Sequence, residues 1–278
     1  MKLTLGTAQF GTNYGISNNL GKVKKKEITK ILHFCLKYNV KELDTARSYG
    51  DAEKRLGSFR NVNKFIINTK ISNMKNIKQQ IYNSLENLKI KQINICYIHN
   101  FVDIKNLSKG KKIFNELNDL KNQKKIKQIG ISLYYVKDLI YCIKNYKFDV
   151  IQVPINIFNQ DFCDNKVLNL IDKYNIKIIA RSVFLQGLFF MKINNLDVKF
   201  KPLKNKLTIL KKKFASKSEI ISYCLNFLKQ KKIIYKVIIA TTSLNELKEI
   251  IKLYKDKKRY GGYHLFKTKS KMRNPSNW

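Results

Sequence analysis

The chain has 278 residues, of which 44% are hydrophobic and 12% aromatic, enough for one sizeable core and too apolar for wholesale disorder. Its formal charge is +37, nearly all from lysine, since arginine stands only at Arg47, Arg55, Arg60, Arg181, Arg259 and Arg273. Arginine is the usual reader of phosphates and base edges. The lysine comes with abundant asparagine and isoleucine, which share A/T-rich codons with it, so the excess reads as compositional bias on solvated helix faces and not as a nucleic-acid surface.

No run approaches the roughly 18 apolar residues of a membrane span. Met1-Lys2-Leu3-Thr4-Leu5-Gly6 enters a strand and turn without a secretory pattern. The five cysteines (Cys35, Cys96, Cys142, Cys163, Cys224) are odd in number and never form a C-x-x-C pair. That argues for reduced thiols in a cytoplasmic protein, with neither a zinc site nor a disulfide framework.

In chain order, short apolar runs alternate with helical periodicities eight times. Leu3-Thr4-Leu5 reads as the first strand, followed by a Gly-rich loop from Gly6 to Gly21. Ile28, Ile31, Leu32 and Cys35 recur at i, i+3, i+4, i+7 and mark an amphipathic helix. Glu42-Leu43-Asp44 is the second strand, with a short helix from Ala52 to Leu56. Lys64 to Lys70 is the third, and its helix carries Ile77, Ile81, Leu85 and Leu88. Ile93 to His99 is the fourth, with a helix about Ile113, Leu117 and Leu120.

The second half repeats the rhythm. Ile126 to Ser132 is the fifth strand, followed by a helix through Leu139, Ile140 and Ile143. Asp149 to Val153 is the sixth, with Val167, Leu168 and Ile171 on its helix. Ile176 to Ser182 is the seventh. The stretch from there to about Phe214 is too long for an ordinary connection and reads as a functional loop. Ser216 to Glu219 is a capping-box pattern opening a helix through Ile220, Ile221, Cys224 and Leu228. Val237-Ile238-Ile239 is the eighth strand, and Ser243 to Glu246 is a second capping box.

Eight strand–helix pairs in this length suit an α/β fold closed as a (β/α)8 TIM barrel better than an open sheet. No Pro/Gly/Ser-rich linker divides the chain, so residues 1–260 read as a single barrel domain. Residues 261–278, with Lys267, Lys269, Lys271 and Arg273, are basic and aperiodic. They read as a C-terminal tail, either a loop over the active face or a frayed, disordered end.

In such a barrel chemistry belongs at the C-terminal ends of the strands. Those positions hold Asp44 and Tyr49 after the second strand, Lys70 at the third and His99 at the fourth. A phenol titrates near pH 10, and an adjacent ammonium would stabilise the phenolate and lower that value. Asp44 can pair with Lys70 and keep it charged, while His99 can orient a carbonyl oxygen toward Tyr49. The set is that of a general acid for carbonyl reduction. Arg47 is open to an anionic substrate or to Asp51. Asn156 and Phe158 are equally open to pocket lining or rim packing.

From Leu5 to about Ile250 the chain resembles the aldo-keto reductase superfamily. The resemblance rests on Gly6-Thr7-Ala8-Gln9-Phe10-Gly11, Asp44-Thr45-Ala46-x-x-Tyr49-Gly50-x-x-Glu53, Thr69-Lys70 and Tyr97-Ile98-His99. It implies a catalytic tetrad of Asp44, Tyr49, Lys70 and His99, with tyrosine as the acid and hydride from a nicotinamide cofactor. No metal is implied. It also implies cofactor contacts at Gly6, Thr7, Asp44, Ser132, Gln152, Arg181, Ser182, Leu185, Gly187, Thr242, Ser243 and Glu246.

Three departures stand out. Arg181 occupies the place where the family often stacks an aromatic ring on the nicotinamide. Ser132-Leu133 replaces a frequent Ser-Asn, and Thr242 stands where an arginine for the 2′-phosphate is expected. That phosphate could still meet hydroxyls and free N–H groups of a helix start. NADPH is favoured by family habit, with NADH possible.

The resemblance implies an NAD(P)H-dependent reductase of a small aldehyde or ketone, which the positive field suggests is anionic. The alternative on the same fold is a catalytically weak, cofactor-sensing regulatory protein. No specific nucleic-acid partner and no membrane is expected.

Overall fold

A computed structural model describes residues 1–278. Its first half runs β1 (Lys2–Gly6), α1 (Ala8–Gly11), α2 (Lys25–Lys37), β2 (Glu42–Asp44), α3 (Ala52–Gly57), β3 (Ile66–Ile71), α4 (Ile77–Leu88), β4 (Ile93–Ile98) and α5 (Leu107–Asn122). The second runs β5 (Ile126–Ser132), α6 (Val136–Asn145), β6 (Val150–Pro154), α7 (Asn165–Lys173), β7 (Lys177–Arg181), α8 (Lys204–Lys213), α9 (Lys217–Lys229), β8 (Ile234–Ala240) and α10 (Leu244–Lys255). All eight strands pair in parallel and in sequence order, and β8 closes on β1, with Lys2 opposite Lys236 and Gly6 opposite Ala240. The fold is the expected (β/α)8 barrel.

α2 and α4 dock through the stripes their spacing announces. α2 buries Ile28, Ile31, Leu32 and Cys35, and α4 buries Ile77, Ile81, Leu85 and Leu88. On α6 the stripe is rotated from the expected one: Cys142 packs inward with Leu139 and Ile143, and Ile140 faces solvent. Lys64 lies in a 3-10 turn before β3 and not in the strand. The connection after β7 is a series of 3-10 turns leading into α8. No helix is long and apolar enough to cross a membrane.

A strand alternates its side chains, so Leu43 packs outward while Glu42 and Asp44 both point into the barrel. The apolar interior of the barrel is small, made of Ile95, Tyr97, Val150 and Ile179, with Ile238 against it. Polar ties fill the rest. Near the N-terminal end, Glu42 pairs with Lys236, Asn68 Nδ2 donates to Glu42 Oε1 at 2.7 Å, and Asn94 Nδ2 donates to Asn68 Oδ1 at 2.8 Å.

Residues 261–278 pack along the mouth. The Gln160 amide donates to the Tyr263 carbonyl at 2.8 Å, Arg273 pairs with Asp161 at 2.5 Å, and Phe266 is fully buried. The Trp278 ring meets Phe200 edge-on at 4.9 Å. These contacts join the connections after β6 and β7.

Breaking a buried pair by removing one partner costs about 3–5 kcal/mol, because it leaves a charge without compensation. Lys236→Met should therefore lower unfolding free energy by that order in urea titration. Adding Glu42→Gln, which keeps an acceptor for Asn68, should recover much of the loss.

Candidate active site

The turn that carries Tyr49 is fixed from two sides. Past the end of β2 its backbone still follows β3, with Thr45 N–H donating to Asn68 O at 2.9 Å and Arg47 N–H to Lys70 O at 3.1 Å. Gly11 of α1 then approaches so closely that a Cβ there would lie 1.7 Å from the Tyr49 carbonyl oxygen. Only glycine permits this approach. Glu53, buried in the first turn of α3, accepts the Thr69 hydroxyl at 2.6 Å and ties that helix to the strand bearing Lys70.

Asp44 and Lys70 form an ion pair sealed from solvent. Lys70 Nζ also donates to the Thr45 carbonyl at 2.9 Å, and Gln152 Nε2 donates to Asp44 Oδ2 at 2.7 Å. Burial pushes the Asp44 carboxyl up and the Lys70 ammonium down, while their mutual attraction resists both shifts. Lys70 Nζ sits 5.1 Å from the Tyr49 ring centre, and the His99 ring meets Tyr49 edge-on at 5.9 Å. Ser48 Oγ lies 3.2 Å from His99 Nδ1 and steadies that ring. Three strand ends, those of β2, β3 and β4, thus bring Asp44, Tyr49, Lys70 and His99 together.

The electrostatics differ from the expectation drawn for Tyr49. Burial drives its hydroxyl well above the usual phenol value, Asp44 adds to the rise, and Arg181 is the cation that opposes it. Lys70 does not lower the phenol, because Asp44 matches its charge at close range. Burial, Lys70 and Arg181 together pull the His99 imidazole down to about 3, so it is neutral across the physiological range. Burial lifts the Cys35 and Cys142 thiols to about 12, far from thiolate reactivity.

Beside Tyr49 opens a cleft of about 630 Å³, within the range of small-molecule and cofactor sites. Gly6, Thr7, Asp44, Gln152, Arg181, Ser182, Gly187, Thr242 and Glu246, all expected as cofactor contacts, line it. Three others do not. Leu185 is buried in the core, Ser243 caps α10, and Ser132 lies behind Arg181, whose Nη2 is 3.4 Å from its hydroxyl. Arg181 has no carboxylate partner; its guanidinium lies 4.0 Å from the Tyr134 ring centre and donates to the Leu133 carbonyl at 3.3 Å.

Several readings are decided or corrected. Arg47 meets neither an open mouth nor Asp51: it donates to the Gln80 carbonyl at 3.0 Å, and Asp51 pairs with Arg55. Asn156 is a buried turn-former that accepts the Phe158 and Asn159 N–H groups, and Phe158 is packed against Phe189. The second capping box is only half made. Ser243 accepts the Glu246 N–H, but the Glu246 carboxylate goes instead to the Thr242 N–H and hydroxyl. Burial alone would raise the Glu246 pKa; the Thr242 bonds and Lys217 outweigh it and hold it below the usual value.

Sequence reasoning read the connection after the seventh strand as a functional loop but missed the turn that meets it to form a roof. The turn from Tyr14 to Asn19 and the segment after β7 meet over the cleft, and a Cβ on Gly187 would lie 1.7 Å from Ser17 Oγ. Ser182, Leu185 and Gln186 all have positive φ, as does Gly187. Left-handed backbone costs non-glycine residues about 1–2 kcal/mol each, a strain of the kind found at functional loops. The sequence signals were the glycine and asparagine of the first loop and the length of the connection after the seventh strand. The fit to a dinucleotide is supported by this roofed cleft and by Gln9 Oε1, a buried acceptor without a partner on its wall.

A model of the Aldo/keto reductase family matches residues 2–259. Among solved structures, the chain is similar to an aldo-keto reductase from Bacillus halodurans in its holo form. That pair shares 18% identity and a TM-score of 0.75, covering 94% of this chain and 88% of that one. It is also similar to the glycerol dehydrogenase from Gluconobacter oxydans, at 19% identity and a TM-score of 0.72 over 93% of this chain and 87% of that one. A thermostable aldo-keto reductase in complex with the inhibitor epalrestat aligns at 20% identity and a TM-score of 0.70, covering 95% and 93%. At these identities the likeness is one of fold. No curated protein gives a significant match.

Two outcomes follow from the site. Gly187→Ala should lower the melting temperature and open the Tyr14–Asn19 turn to protease, since the added methyl collides with Ser17; an unchanged melt and cleavage pattern would show that the two loops do not lock. His99 is neutral when folded but takes up a proton near pH 6.5 when unfolded, so stability should fall as pH drops from about 6.5 toward 3. His99→Gln should flatten that fall in denaturant titrations across the same window.

Proposed function

The chain belongs to the aldo/keto reductase family, a family of oxidoreductases, and on that premise we propose that it reduces an aldehyde or ketone to an alcohol with Tyr49 as general acid. The observation that carries this reading is the sealed Asp44–Lys70 pair lying directly beneath a phenol at the wall of a roofed cleft. A nicotinamide dinucleotide, NADPH or NADH, supplies the hydride when bound. Gly6, Thr7, Gln152, Arg181, Ser182, Gly187, Thr242 and Glu246 are the residues that would hold it.

The remaining work falls to the side chains. A raised pKa keeps the Tyr49 hydroxyl loaded with its proton at neutral pH. Transfer from it to an alkoxide is still downhill, since an alkoxide is a stronger base than a phenolate. The phenolate left behind is stabilised by Arg181. Asp44 fixes the Lys70 ammonium beside the phenol ring, and Gln152 and Thr45 satisfy the bonds the pair has left over. Neutral His99 can hydrogen-bond a carbonyl oxygen without giving up a charge, and Ser48 sets its orientation. The loops over the cleft exclude water, which strengthens each of these interactions.

Tyr49→Phe should reduce carbonyl turnover by at least about 100-fold while leaving dinucleotide affinity nearly unchanged by fluorescence titration. Wild-type turnover in this variant would remove Tyr49 as the acid. Tight dinucleotide binding by the wild-type chain, with no turnover of any aldehyde or ketone in a broad panel, would favour the cofactor-sensing reading instead.

A further inference from the structure

The cleft that has Tyr49 and Arg181 at one end has Thr242, Glu246 and Glu249 at the other, where β8 turns into α10. A helix start normally attracts phosphate because its first N–H groups are free. Here the chain's own groups have taken all but the Asn245 N–H. Glu246 Oε2 accepts the Thr242 N–H at 2.9 Å, the Thr242 hydroxyl at 2.8 Å and the Thr241 hydroxyl at 3.2 Å. Glu27 reaches across from α2, and its Oε1 accepts the Leu244 N–H at 2.7 Å. Ser243 Oγ takes the Glu246 N–H.

The charge balance points the same way. Glu246 and Glu249 both line this end, and Glu27 lies against the same helix start. The two lysines of the cleft are Lys217, already paired with Glu246 at 3.3 Å, and Lys192 on the connection after β7. Lys30 offers Glu27 only a distant 3.6 Å contact. The single arginine of the cleft, Arg181, is at the opposite end. A carboxylate accepts hydrogen bonds from ribose hydroxyls, which is how dinucleotide sites commonly read a free 2′-OH. A phosphomonoester carries a charge of about −1.5 to −2 at neutral pH and would meet fixed carboxylates, with only the Asn245 N–H left in exchange.

We infer that the α10 end of the cleft selects a ribose with a free 2′-hydroxyl, so that the chain binds NADH in preference to NADPH. This rests on the dinucleotide reading proposed above. It replaces the expectation that a 2′-phosphate would find free hydroxyls and N–H groups at this helix start.

The test is calorimetric titration of the full chain at low ionic strength with NADH, NADPH, ADP-ribose and 2′-phospho-ADP-ribose. The expected dissociation constants are at least about tenfold lower for NADH than for NADPH, with the same ratio between the two fragments. Agreement of the fragments assigns the discrimination to the adenosine end, away from Tyr49. Glu246→Arg should narrow or reverse the ratio, with Glu246→Gln intermediate; if Glu246→Arg does not fold, the wild-type fragments decide alone. NADPH binding as tight as or tighter than NADH overturns this inference and leaves the reductase reading standing. Binding of neither dinucleotide overturns both.

Discussion

The buried pairing of Asp44 with Lys70 is the constraint on which the mouth of the barrel depends. Two opposite charges removed from water are tolerated only when geometry is close and their remaining bonds are met. Here β2 supplies the carboxylate, β3 the ammonium, β6 the Gln152 amide and the Thr45 carbonyl the last acceptor. These groups come from three separate strands, so the full set forms only when the barrel is in register. Tyr49 then inherits its place, because the turn that carries it continues the same β2 backbone.

The barrel uses this device twice. Glu42, two residues before Asp44 and so on the same face, pairs with Lys236 near the other end, with Asn68 and Asn94 completing it. Between the two pairs lies the small apolar cluster about Tyr97. An interior of this kind exchanges some apolar burial for directional ties that only one strand order and one register can satisfy, since a slip of one residue would turn both carboxylates outward.

Much of this was legible in the sequence, and for physical reasons. Strand alternation and helical stripes are local, so the eight strand–helix units and the four residues at successive strand ends could be read from spacing. What escaped depends on contacts between distant segments. Glu246 was correctly placed by the Ser-x-x-Glu pattern, yet its carboxylate turns to Thr242, and the N–H of Leu244 goes to Glu27 from the other end of the chain. Arg47 and Asn156 read as mouth residues by position alone; neighbouring backbone carbonyls and N–H groups claimed both. Arg181 was recognised as a departure, but its role as the cation opposing the rise of the Tyr49 pKa required knowing what else stood near the phenol.

The pairing of β1 with β8 has a consequence for how the molecule is made. A ribosome delivers Lys2–Gly6 first and Lys236–Ala240 long afterwards, so the nascent barrel waits with its first strand unpaired on one side. Parallel pairing across such a separation is slow, and open strand edges on neighbouring chains can join each other in the interval. Lysine along and beside an edge is one of the commonest guards against such joining. A chain with a formal charge of +37 repels its own copies throughout synthesis.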